Sequence, residues 1–195
     1  LIVVPFLLPL VDKLGFDNWI ERNAVRRRAA HADNDLRNKV AATAATEHFT
    51  ALFADWMLHH PEALEGAEPR LRTLWQWHSA EESEHRNTAF DMYQALGGDH
   101  HWRIRVFKYI TATFLGDVAR QTVRNLWHDG SLFKWSTWRS CYKLLFARDG
   151  MIRGNLGLWR DYMARDFHPS QHPAELSQQW LRDNTAQFTV VGQAA

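Results

Sequence analysis

The chain has 195 residues, enough for one domain with a sizeable core, and 46% of them are hydrophobic, the balance of a soluble globular protein. Lys plus Arg number 23 against 22 for Asp plus Glu, so the net charge of +1 gives no general electrostatic argument for a nucleic-acid partner. The single Cys141 excludes an intrachain disulfide and a cysteine-based zinc site, which fits a reducing, cytoplasmic compartment.

The opening run LIVVPFLLPLV is too short to span a bilayer, contains Pro5 and Pro9, and lacks the basic start and cleavage site of a signal peptide. Beginning on leucine, it reads as part of a longer or processed chain. No strict alternation of a half-buried strand is sustained, whereas helical spacing recurs from Phe16 onward, so the fold is expected to be all-α. A first helix is expected from near Asp17 through NWIERNAVRRRAAHA. Asp33 or Asn34 caps the next, which Pro61 ends. That second helix has almost no polar face and should be central, yet it carries Glu47 among Val40, Thr43, Ala44, Ala51, Ala54 and Leu58. A third helix stops at Gly97 and Gly98. A fourth spans His101 to His128, a fifth Leu132 to Ala147, a sixth NLGLWRDYMARDF, and a last one starts at Pro173 or Ala174. These elements predict an N-terminal segment and first helix over 1–38, a helical domain over 39–185 and a tail over 186–195.

The third helix carries LWQWHSAEESEHRNTAFDMYQALGG. At about 100° per residue, Leu71, Leu74, Trp75, Ala89, Met92, Tyr93 and Leu96 share one direction to within roughly 60°. His78, Glu82 and His85 fall on the same stripe, while Arg86, Asn87 and Asp91 should face solvent. Burying imidazole and carboxylate without partners costs several kcal/mol. Placed beside the second helix, Glu47, His78, Glu82 and His85 form a carboxylate and imidazole set that suits iron, manganese or zinc. The Glu82-x-x-His85 spacing is that by which ferritin-like helical bundles hold metal, each motif working with a glutamate from another helix. His31, His59, His60, His100, His101, His128 and His172 sit at helix ends or in polar stretches and are expected to be exposed.

Three blocks, ATAATEHFTALFADWML, LWQWHSAEESEHRNTAFDMYQALGG and DYMARDFHPSQHP, resemble successive signatures of the bacterial "predicted metal-dependent hydrolase" family, over about Lys39 to Leu181. The resemblance implies a ferritin-like helical bundle with additional C-terminal helices, and metal-binding roles for Glu47, Glu82 and His85 together with His78. It also draws attention to His168 as an acid, base or outer partner at the mouth of the site. The ligand helices that such a family would carry upstream are missing from Leu1 to Asn38, where Glu21 and His31 lack the motif spacing.

Three functions compete. A metal-dependent hydrolase would activate water at the divalent metal, with Glu81 as the base, on an apolar or anionic small-molecule substrate. A di-iron oxidase or oxygenase would use the same ligands. A non-catalytic binding module, homo-oligomeric or associated with a membrane surface, would use the tryptophans, ten in the chain, of which Trp102, Trp127, Trp135 and Trp138 mingle with nine Lys and Arg between His101 and Arg148, where Asp117 and Asp129 are the only acids.

Overall fold

The computed structural model describes residues 36–172 and 174–188. The helix expected from Asp17 and the caps Asp33 and Asn34 lie outside them. The described elements are α1 (Leu36–His59), a 3-10 turn (Pro61–Leu64), α2 (Pro69–Ala95), α3 (His100–His128), α4 (Trp135–Phe146) and α5 (Met151–Asp161). A 3-10 turn (Pro169–Gln171), α6 (Glu175–Asp183) and a last turn (Thr185–Gln187) follow, and among the described residues there is no strand. The fold is all-α.

Local chemistry sets most ends. The Glu68 carboxylate accepts from the Leu71 amide at 3.0 Å and starts α2, and Asp99 accepts from the Trp102 amide at 2.7 Å and starts α3. α4 begins at Trp135 rather than Leu132, because Asp129 accepts from the Ser131 amide at 2.8 Å and holds the connection as a turn. α5 ends at Asp161 instead of running to Phe167. There the backbone tightens into Met163-to-Arg160 and Ala164-to-Asp161 bonds of 2.9 Å, and the Arg103 guanidinium takes the Ala164 carbonyl.

As its composition predicts, α1 is central. It packs most extensively on α2 and also meets α3 and α5. Its Ala44, Ala45 and Phe49 join Ala89, Phe90, Phe107, Tyr162 and Phe167 in the main core. Two side-chain bonds tie it to the α5 region: the Trp56 indole donates to the Asp149 carbonyl at 2.8 Å, and the Asn155 amide donates to the Leu52 carbonyl at 3.1 Å.

α2 is turned relative to the sequence expectation. Among its described residues Ser79, Ala80, Arg86, Ala89, Phe90 and Tyr93 are buried, whereas Leu71, Trp75, Met92 and Leu96 are exposed. The inward face is therefore rotated by about 70° from the apolar stripe. Large aromatics decide the rotation: Phe90 and Tyr93 are 1% exposed, and the Tyr93 hydroxyl donates to the Asp99 carbonyl at 2.7 Å.

The α2–α3 corner depends on two glycines. Gly97 has φ of 70°, in the left-handed region. At Gly98 a Cβ would stand 2.3 Å from the Tyr93 ring and 2.6 Å from its carbonyl, and that ring has no room to retreat. Gly98→Ala is expected to destabilise the fold by about 1–3 kcal/mol. Equilibrium urea unfolding of the two chains checks it, and unchanged stability would mean that the corner is looser than described.

Candidate metal centre

Glu47 on α1 and Glu82 on α2 come together where the two helices pack. The neighbouring Glu82 charge acts on Glu47, and His85 acts on it in the opposite sense. Burial, followed by smaller contributions that include Glu82, raises the Glu47 carboxyl above the ordinary range; His85 and the Ala89 backbone pull it back in part. Glu47 Oε2 is buried and reaches no hydrogen-bond partner. Glu82 is better held. Its Oε2 accepts from the Thr50 hydroxyl at 2.9 Å, and its Oε1 lies 3.4 Å from His78 Nε2. Burial lowers the His78 pKa, partly offset by Glu82, and so favours the neutral imidazole that can ligate a metal.

The other expected members stand further out. His85 is exposed rather than interior, a consequence of the rotation of α2, which leaves it on the outer edge of the site. Glu81 is half-buried on the same outer side. His168 is elsewhere: its Nε2 meets Asp91 Oδ1 at 2.8 Å, and its Nδ1 accepts from the Ser170 amide at 3.2 Å, capping the turn that begins at Pro169. Asp91 is nine residues beyond Glu82, about 13.5 Å along α2 and half a revolution around it. His168 is therefore not brought to the site.

As to whether these residues fit a metal, the donor chemistry is right and the orphaned Glu47 oxygen calls for a cation or a proton. Among the described residues, however, no three His, Cys, Asp or Glu side chains stand close enough to hold an ion. What the structure brings together is a carboxylate pair with one imidazole beside it, open on the His85 side.

Sequence reasoning missed what lies behind this pair. His48 is 1% exposed among Phe107, Tyr162, Phe167 and His172, with ring centroids 4.6–5.6 Å away. Neither ring nitrogen reaches a partner within hydrogen-bond geometry. Burial, reinforced by His172, lowers its pKa to about 3, and the Leu158 backbone offsets only part of that. His172, expected to be exposed, is buried, and Arg86, expected in solvent, is 5% exposed and donates to the His172 carbonyl. The signal for His48 was its place on a helix without a polar face. Nothing local marks Arg86, whose partners come from distant segments.

A family model described as predicted metal-dependent hydrolase matches residues 7–173, and the chain belongs to that family. The match starts well upstream of Lys39 and stops short of Leu181. Comparison with curated proteins and with solved structures gives no match.

The His48 shift has a definite sign. Below pH 6.5 the unfolded chain protonates this histidine, while the native state resists until about pH 3, so the contribution is intact above 6.5 and is lost as pH falls. Unfolding free energies measured from pH 7 down to 4 should decline about 1.4 kcal/mol per unit less steeply in His48→Phe than in the wild type. Parallel curves would show that His48 takes up its proton in the folded state.

Proposed function

We propose that this member of the predicted metal-dependent hydrolase family binds a divalent cation through Glu47 and Glu82, with the His78 and His85 side chains drawing in to complete the set as the ion binds, and hydrolyses a small-molecule substrate. The observation that carries it is the buried, unpartnered Glu47 oxygen beside a second carboxylate. Iron is the first candidate, with manganese or zinc as alternatives, since oxygen and imidazole donors suit all three. The ferritin-like reading of the bundle rests on the Glu82-x-x-His85 spacing and a glutamate from a neighbouring helix.

The bound cation would supply Lewis acidity, bringing the pKa of water toward neutrality. The chain supplies the rest. The Thr50 hydroxyl fixes one Glu82 oxygen and leaves the other toward His78, so the carboxylate is oriented before anything binds. His85 and Glu81, on the outer side, stand where a substrate would enter. Glu81 is the proton acceptor in this reading, about 60° around α2 from the ligand stripe. The carboxylate-rich donor set also favours a second reading, oxygen chemistry at iron, which differs in the reaction but not in the ligands.

Metal analysis and thermal melting test the common part. A cation held by the native state alone stabilises by about 2.7 kcal/mol when free metal is a hundredfold above its dissociation constant. Chelator should therefore lower the melting temperature of wild type, and Glu82→Ala should lose both the metal and the sensitivity. Identical melting with chelator and with added iron, manganese or zinc, in protein that carries no metal, would overturn the reading. Ester or amide turnover without an iron charge-transfer band favours hydrolysis; the band together with oxygen consumption favours the second.

A further inference from the structure

α4 has no buried residue. It is nonetheless amphipathic: Trp135, Trp138, Tyr142 and Phe146 recur at helical spacing along one face, and all four are exposed. The turn before it extends that face. Phe133 is 84% exposed and Trp135 80%, the Trp127 and Phe133 rings meet at 6.0 Å, and the Trp138 indole donates to the Leu132 carbonyl at 2.7 Å. Leaving such a surface in water is costly, because an exposed aromatic patch of this extent is unusual for a chain without a partner.

The charges around the patch are mostly basic. Lys134, Arg139 and Lys143 are exposed on and beside α4. Between residues 118 and 150 there are six Lys and Arg against Asp129 and Asp149. No helix among the described residues is long and apolar enough to cross a membrane, so contact with a bilayer through this face would be peripheral.

We propose that the 127–146 hairpin tip, comprising the end of α3, its turn and the aromatic face of α4, docks on the surface of an anionic lipid bilayer. Trp, Tyr and Phe side chains on a helix lying in the plane of the interface are at home at the boundary of headgroups and acyl chains. Lys134, Arg139 and Lys143 then meet lipid phosphates and carboxylates from the flank of the same helix. A second copy of this chain fits less well. Pairing the patch with itself would bring the two basic flanks together with Asp129 as the one acid between residues 127 and 146.

The test is co-sedimentation of the full chain with vesicles of phosphatidylcholine, with and without phosphatidylserine. The expected result is partition at least about tenfold stronger on the anionic vesicles, falling as salt is raised. Lys134→Glu with Lys143→Glu should remove that preference. Phe133→Ser with Trp135→Ser should weaken binding to vesicles with no loss of helicity, because both side chains project into solvent. Equal partition onto both vesicles, or none onto either, would overturn the proposal. Self-association in sedimentation velocity that Phe133→Ser with Trp135→Ser abolishes, without any vesicle binding, would overturn it as well and assign the patch to contact between copies.

Discussion

The close approach of α1 and α2 along small side chains is the constraint on which the molecule turns. Ala44 and Ala45 on one helix and Ala89 on the other are 5% exposed or less and meet in the main core. Alanine contributes little apolar area of its own, so the seam is held from one edge by Phe49, Phe90, Phe107, Tyr162 and Phe167. Anything ionisable beside so close a seam loses its water. Glu47 and His48 follow one another and point about 100° apart, so each lies on its own flank of the seam. The two flanks meet the cost differently. His48 sheds its charge and stays a neutral ring among aromatics, whereas Glu47 keeps an oxygen that nothing satisfies.

On the His48 flank, buried cations are met by the chain beyond α5. Arg86 takes the His172 carbonyl and feels Asp55 and Glu175, while Arg103 takes the Ala164 carbonyl and lies over the Phe90, Tyr162 and Phe167 rings at 5.1, 5.3 and 6.0 Å. His172 in turn lies 3.5 Å from Asp161. These contacts do more than fasten a C-terminal segment. Arg86 is one turn beyond Glu82 on α2, so holding its guanidinium inside fixes the roll of the helix and with it the direction of Glu82 toward Glu47.

This arrangement marks what could be read from the residues alone. The helix ends were legible where stopping is local: Pro61, Gly97 and Gly98 act within a few residues of themselves. The centrality of α1 was legible from the absence of a polar face, and Glu47 and Glu82 were legible as polar groups in apolar settings. The roll of α2 was not. A helical wheel weighs Leu71, Met92 and Leu96 equally with Phe90 and Tyr93, but packing against α1 and α3 does not, and a long-range bond to the His172 carbonyl turns Arg86 from a surface residue into an interior one. His168 misled for a related reason: its partner Asp91 is on α2, but half a revolution from the carboxylates.

The same rotation changes the character of the proposed site. With the apolar stripe inward, four ligands would sit at the middle of the bundle, sealed from solvent and reachable only through a moving gate. With α2 turned, Glu82 and His78 lie at the margin of the packed face, His85 is outside it, and Glu81 lies on the same open side. Burial disfavours the charged form of His78, so it does little to neutralise the carboxylate pair, and what remains to do so is His85, a proton or a cation. In the proposed site a proton and a cation would compete for the same Glu47 oxygen, and the cation would gain as pH rises because it must displace that proton. A centre at the edge of the bundle is therefore reached without opening the core, at the cost of a smaller desolvation of whatever binds there.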